Sequence, residues 1–201
     1  MREISPAVNL SVDEYFAAIP SPEIRQFVIS VRQQKTAGTR PRTSATLIDR
    51  SALLTKPIRA TLLDRIATLV DENIYGRCEM CEQFADLLQR SLVLLGLPAR
   101  AVLGTAIYLS EGREVFRWDH AWVRIGHEVV DGNVDTLFEN PLVPSSVRIA
   151  PYWGPIETTP KDRRLAQNKA LDFPTSDTDV SDIWWPELRD WLNQSITGKT
   201  S

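Results

Sequence analysis

Helical and strand patterns occupy separate parts of this chain, and they meet at the segment GLPAR, residues 96–100. Apolar residues recur at helical spacing over residues 81–95. Gly96 is typical of a helix stop, and Pro98 prevents the helix from resuming. From Ala101 onwards apolar and polar residues alternate as in strands, in segments separated by glycines. This segregation predicts an α+β fold with an antiparallel meander after the helix.

The regions on either side also carry recognisable patterns. Ser21 and Pro22 predict the start of one helix, and apolar spacing predicts another from residue 57 to about residue 72. After residue 140 the chain is rich in Pro and Trp, and the segment KDRRLAQNKAL, residues 161–171, predicts a short helix. The tryptophans of DIWWPELRDWL, residues 182–192, are interpreted as core packing in preference to a ligand cage.

Length and composition indicate an ordinary soluble domain. A chain of 201 residues forms one substantial core, so we expect a single domain over residues 1–201. Within it we expect an N-terminal helical layer (1–74), a central part (75–140) and a C-terminal extension (141–201). The net charge of −3 gives no reason to expect nucleic acid or a membrane surface as a partner. No signal-type or membrane-spanning apolar run is visible, which favours a cytoplasmic location.

Both cysteines of the chain lie in GRCEMCEQFADLLQR, residues 76–90. A separation of three positions on a continuous helix is poor geometry for a disulfide, so we expect free thiols. A cysteine at the start of a helix faces the positive end of the helix dipole, which favours the thiolate. Glu79, Glu82 and Asp86 lie close in sequence and oppose this effect unless they point away.

The chain has two histidines, so a histidine-dependent mechanism has few candidates. Alternation places His120 on the strand face opposite Ala121, Val123 and Ile125, whereas His127 falls in a predicted exposed turn. Pairing Ile125 with Glu128 across that turn brings Asp131 near His120, where a carboxylate can fix the imidazole tautomer. The segment DGNVD also offers Asp135, and the Asp-Gly pair is equally typical of a simple turn.

Three blocks of this sequence resemble the transglutaminase-like superfamily, whose papain-like cysteine fold occurs in transglutaminases, bacterial peptidases and amidases, and peptide N-glycanases. Cys81 is followed by Phe84 and Ala85, and then by GLPAR in the family's register. The family's HAWV segment matches residues 120–123, and its downstream VD matches residues 130–131. The resemblance covers about residues 75–135.

The resemblance implies a central Cys-bearing helix packed on an antiparallel sheet. It selects Cys81 over Cys78 as the nucleophile, and it implies that His120 acts as the base and that Asp131 orients it. Related enzymes often use a Gln or Trp side chain upstream of the cysteine as an oxyanion donor, and this chain departs from that pattern by offering only Tyr75 and Asn73 there. Tyr75 and Trp122 are therefore candidates for substrate binding, although an aromatic residue beside a strand histidine is also typical of packing.

Three other interpretations compete with catalysis. Cys78, Cys81, His120 and His127 have the ligand count of a zinc site, but the two pairs are much farther apart than in a zinc finger. A thioredoxin-like redox pair is disfavoured because CEMC does not follow a strand. An inactive transglutaminase-like scaffold that binds peptide is disfavoured because all three triad residue types are present.

The resulting prediction is cysteine-dependent acyl transfer on an amide, through a Cys-His-Asp triad and a thioester. Water is favoured as the acceptor, so we expect hydrolysis of a peptide or protein amide rather than cross-linking. No cofactor motif and no acidic loop with calcium spacing is visible, so we expect neither a cofactor nor a metal.

Overall fold

The chain divides into two compact units, residues 1–41 and residues 42–201. The computed structural model describes residues 17, 20–37, 46–73, 77, 80–139, 143, 147–171 and 177–195. Helix α1 (Pro22–Thr36) belongs to the first unit, and every other described helix and strand belongs to the second. The helical layer predicted for residues 1–74 is thus divided between the units, and the single domain over residues 1–201 stays a prediction.

The helices begin and end close to the predicted positions. At the start of α1 the Ile24 N–H donates to Ser21 Oγ at 3.3 Å, as expected of a serine cap. Helix α2 (Lys56–Asn73) and helix α3 (Cys81–Leu94) follow. Gly96 ends α3 with a φ of +81°, and the next N–H, that of Leu97, donates back to the Leu92 carbonyl.

Six strands form one mixed sheet in the second unit. The strands are β1 (Ile48–Asp49), β2 (Ala99–Ser110), β3 (Arg113–Ile125), β4 (Glu128–Asp131), β5 (Tyr152–Pro155) and β6 (Arg163–Ala170). Their order across the sheet is β1-β5-β4-β3-β2-β6. The antiparallel meander predicted after Ala101 is confirmed for β2, β3 and β4. The sheet as a whole departs from the antiparallel prediction because β1 pairs with β5 in parallel.

The predicted helix over residues 161–171 is wrong, because this segment forms β6 along the free side of β2. Its residues are good helix formers, but pairing with a long strand outweighs a preference of a few tenths of a kcal/mol per residue. The start of β6 alternates as a strand does, with Arg163 buried and Arg164 exposed. This correction matters for the site, since a strand carries Arg163 inward.

The main core lies between the sheet and helices α2 and α3. Buried apolar side chains of α3 pack against the β3 face that carries Ala121, Val123 and Ile125, which is the predicted core face. Helix α4 (Trp185–Ser195), preceded by the π-helical turn Asp179–Trp184, closes the same core. Trp184 is buried, and the partly buried Trp185 and Trp191 pack against the same core cluster, which confirms their predicted core role.

No helix in the part of the chain that the structure describes is long and apolar enough to span a bilayer. The longest of them, α2, has 18 residues and a charged side chain in nearly every turn.

Candidate active site

Cys81 is the first residue of α3, and its thiol is free. The residue is 8% exposed, so little of it reaches solvent. No side chain caps the helix at Met80, so no capping side chain accepts from the first backbone N–H groups at the positive end of the helix dipole. Of the neighbouring acids, Glu82 is exposed, and buried Asp86 is paired with Arg90 at 2.6 Å. These two carboxylates therefore place little uncompensated negative charge on the thiol, and Glu79 lies outside the described residues.

The β3–β4 hairpin brings His120 and Asp131 together. The predicted pairing of Ile125 with Glu128 is confirmed, and it keeps Asp131 within β4. His120 Nε2 and Asp131 Oδ1 are 2.9 Å apart, and both side chains are fully buried. A hydrogen bond at this nitrogen leaves His120 Nδ1 as the ring nitrogen that can act on another group.

The electrostatics of His120 link it to both Cys81 and Asp131. Burial lowers the pKa of His120, but the charge and hydrogen bond of Asp131, together with the Cys81 thiol, raise it from 6.5 to about 9. Burial raises the pKa of Asp131, and the stronger effect of His120 and Arg163 lowers it below its usual value. The Cys81 thiol is thus close enough to act on the imidazole, although Nδ1 has no hydrogen bond of normal geometry among the described residues.

Two buried arginines that sequence reasoning missed bind the carboxylates near His120. Arg163 of β6 donates from Nη1 to Asp131 Oδ2 at 2.8 Å, on the carboxylate oxygen that His120 does not use. Arg77 holds Asp135 with two hydrogen bonds of 2.9 and 3.0 Å and also contacts Asn133. A buried carboxylate that orients a histidine needs a partner for its second oxygen, but no spacing rule picks one cation among 23 Lys and Arg residues.

Gly132 allows the end of β4 to approach the middle of α2 and the first turn of α3. A Cβ atom at this position would lie 2.6 Å from Phe84 Cε1 and 3.0 Å from Leu63 Cδ2. The contact with Phe84 lies one helical turn after Cys81, and Gly132 directly follows Asp131. The absent side chain therefore sets the distance between the elements that carry the thiol and the carboxylate.

Two further buried polar atoms lie beside His120. The indole of Trp118 stacks on the imidazole with ring centroids 5.3 Å apart, and the Tyr108 ring meets it edge-on at 6.4 Å. Trp118 Nε1 and Tyr108 Oη have no hydrogen-bond partner of normal geometry among the described residues. Burial and the Asp131 charge raise the pKa of Tyr108 well above 10, so its hydroxyl keeps its proton. A hydrogen bond from Trp118 opposes this rise in pKa, so the Trp118 N–H faces Tyr108 and the Tyr108 hydroxyl is the donor left available beside His120.

Of the other predicted site residues, Trp122 does lie beside His120, with its ring tilted against the imidazole and the ring centroids 6.2 Å apart. Trp122 is 2% exposed and packs with Val102, Val129 and Tyr152. It therefore belongs to a buried core cluster and does not line a solvent-accessible groove. Tyr75 lies outside the described residues, and its predicted contact with substrate stays a prediction. His127 is exposed in the β3–β4 turn, as expected.

The geometry separates the ligands of the alternative zinc site. His120 is buried and His127 is exposed beyond the end of β3, and the strand from His120 to Ile125 alone spans about 16 Å. The two histidines therefore cannot share one ion. Cys78 lies outside the described residues, and among those described no group of three or more His, Cys, Asp and Glu could hold a metal.

The raised pKa of His120 predicts that stability depends on pH. A histidine whose pKa is higher in the folded state stabilises the fold fully below about pH 6.5 and loses that contribution as pH rises through about 9. We expect the free energy of unfolding to fall by up to about 3 kcal/mol between pH 6.5 and 10. Urea denaturation across this range measures it, and His120→Gln should flatten the profile. Equal slopes in the native protein and the variant would contradict the prediction.

The transglutaminase-like resemblance rests on residues 75–135 of the sequence. Comparison of the chain with protein-family models, with curated proteins and with solved structures gave no match. Membership of that superfamily therefore stays a prediction from the sequence motifs. The chain has an α+β fold with a six-stranded mixed sheet.

Proposed function

We propose that the protein is a cysteine-dependent acyltransferase that acts on an amide, with Cys81 as nucleophile, His120 as proton carrier and Asp131 as the residue that orients His120. The observation that carries the proposal is the buried contact of 2.9 Å between His120 Nε2 and Asp131 Oδ1, with Cys81 among the groups that raise the pKa of His120. A papain-like, transglutaminase-like core is the finer fold that we propose with it. An unpaired thiol at a helix N-terminus beside an imidazolium is the arrangement that activates a cysteine.

The chemistry follows from the positions of the protons. A pKa of about 9 keeps His120 protonated at neutral pH, so an imidazolium lies beside the thiol and stabilises a thiolate. The Cys81 sulfur attacks the carbonyl carbon, a carbon–sulfur bond forms, and the carbonyl oxygen takes the negative charge. As the tetrahedral intermediate collapses, the carbon–nitrogen bond breaks and the His120 proton passes to the leaving amine. The product of this half-reaction is a thioester on Cys81.

The second half-reaction resolves the thioester. Neutral His120 takes a proton from water, the hydroxyl attacks the thioester carbon, and collapse releases a carboxylic acid and the thiolate. His120 is again protonated at the end of the cycle. We propose water as the acceptor and a peptide or protein amide as the substrate, so that hydrolysis rather than cross-linking is the reaction.

The negative oxygen of the tetrahedral intermediate needs hydrogen-bond donors. Backbone N–H groups at the start of α3 supply one source, since the helix has no side-chain cap at Met80. Tyr108 Oη is a buried donor beside His120, and we propose it as an alternative to the upstream side chains for the second donor.

Cys81 is expected to be the reactive thiol of the chain. The two cysteines fall between Arg77 and Arg90, and hence in one tryptic peptide, so each is best measured in the variant that lacks the other. At pH 6, iodoacetamide should alkylate Cys81 in the Cys78→Ser variant at least tenfold faster than it alkylates Cys78 in the Cys81→Ser variant. The reason is that a thiolate paired with an imidazolium persists below the pKa of about 8.5 of an ordinary thiol.

Mass spectrometry of the intact protein follows this reaction directly. His120→Gln in the Cys78→Ser background is the matched control, and it should lose the reactivity at low pH. Slow alkylation of Cys81 with no dependence on His120 would overturn the proposal, and an inactive peptide-binding scaffold would then be the better interpretation.

A further inference from the structure

All three nitrogens of the Arg163 guanidinium group donate hydrogen bonds. Nη1 donates to Asp131 Oδ2 at 2.8 Å, Nε donates to Asp162 Oδ1 at 2.9 Å, and Nη2 donates to the Ala150 carbonyl. The side chain has no exposed surface, and neither has that of Asp131. The guanidinium is therefore fixed in one orientation, and its charge lies next to the carboxylate that holds His120.

This second cation matters because the charge of His120 changes during the proposed reaction. When His120 passes its proton to the leaving amine, Asp131 loses the charge of its partner while it stays fully buried. A buried carboxylate without a cation is unfavourable, so Asp131 alone would hold the proton on His120. Arginine does not lose its proton in proteins, so Arg163 stays charged through the whole cycle.

We propose that Arg163 is the permanent counter-ion of Asp131, a positioning residue that keeps the carboxylate ionised while His120 is neutral and so lets His120 release its proton. The proposal rests on the proposed acyl transfer for its purpose, but the coupling between Arg163 and His120 can be measured without any substrate.

The surrounding charges set the sign of the expected effect. Asp131 faces His120 from β3 and Arg163 from β6, with neutral Tyr108 on β2 and the Cys81 thiol at the start of α3. His120 and Arg163 occupy opposite oxygens of one carboxylate, so each cation weakens the hold of Asp131 on the other. Removing the charge of Arg163 should therefore strengthen the hold on the imidazolium, and removing the charge of Asp162 should weaken it.

Nuclear magnetic resonance of ¹³C- and ¹⁵N-labelled histidine tests this directly, because the chain has two histidines and exposed His127 serves as an internal reference. In Arg163→Met the pKa of His120 should rise by about one unit or more. Arg163→Lys, which keeps the charge, and Arg164→Met, which removes a neighbouring exposed charge from the same strand, should shift it by less than about 0.3 units. An unchanged pKa in Arg163→Met, or an equal shift in Arg164→Met, would overturn the proposal.

A second variant covers the case in which Arg163→Met does not fold. Asp162 is partly exposed and contacts Arg163 but not His120, so Asp162→Asn should fold and should lower the pKa of His120. A raised or unchanged pKa in Asp162→Asn would count against the proposal. This result is independent of the alkylation experiment. If Cys81 proves unreactive, the proposed function fails, but the measured effect of Arg163 on the pKa of His120 still stands.

Discussion

Asp131→Asn and Asp135→Asn should damage the protein in different ways, although only three residues separate them. In Asp131→Asn an amide N–H faces His120 Nε2 in place of a carboxylate oxygen, which drives the ring proton to Nδ1 and removes the base that faces the thiol. We expect acyl transfer to fall on the order of 10⁴-fold, as when the histidine of a serine-protease triad is held in the wrong tautomer. Hydrolysis of p-nitrophenyl acetate measures the loss. The amide oxygen can still accept from Arg163, whose charge Asp162 also offsets, but a buried ion pair is lost here as in Asp135→Asn. The rate is therefore measured below the melting temperature of each variant.

Asp135→Asn should lower stability and spare the chemistry. Asp135 is paired with buried Arg77, and breaking a buried ion pair on one side costs about 3–5 kcal/mol. For a chain of this length the melting temperature should fall by about 6–20 °C. Below that temperature the rate of ester hydrolysis should stay within about threefold of the native rate, because Asp135 does not contact His120. Loss of the rate in Asp135→Asn alone would assign the third triad role to Asp135.

The alternation and turn signals placed Asp131 near His120 but were equally typical of a simple turn, and the family resemblance then selected Asp131. A short turn fixes the pairing of Ile125 with Glu128, which puts Asp131 on the His120 face. Asp135 would share that face by alternation, but β4 ends at Asp131 and Asp135 lies in the 3-10 helix that follows. Likewise, the GLPAR segment fixes the end of α3 and the direction change into β2. These features depend on residues close in sequence, which is where pattern reasoning is strongest.

The contacts that complete the site come from residues far apart in sequence, and local patterns do not specify them. Arg163 lies 32 residues after Asp131 in a segment of helix-forming residues, and its pairing along β2 decides its role. The ion pair of Arg77 with Asp135 spans 58 residues, and β1 joins β5 in parallel across about a hundred. The buried charges are satisfied only in the assembled fold, so the need for a cation was predictable but its position was not.

Gly132→Ala should disrupt the site without removing any catalytic group. The added Cβ would lie 2.6 Å from Phe84 Cε1, closer than atoms can approach, so β4 and the first turn of α3 must move apart. Overpacking of this kind costs about 1–3 kcal/mol in stability. Because Gly132 follows Asp131 and Phe84 lies one turn after Cys81, the same movement separates the thiol from His120. A misplacement of about 1 Å at a reacting group can cost on the order of 10²-fold in rate.

A second substitution tests whether the contact with Phe84 causes the losses of rate and stability in Gly132→Ala. Phe84→Leu removes the ring edge that the new methyl group would strike, and alone it should lower stability by creating a small cavity. The double variant Gly132→Ala/Phe84→Leu should therefore hydrolyse p-nitrophenyl acetate faster than Gly132→Ala does, and its loss of stability should be smaller than the two single losses combined. Urea denaturation and the ester assay on all four proteins measure both effects. If the two losses add, or if the double variant is slower than Gly132→Ala, the spacing between β4 and α3 is not what Gly132 controls.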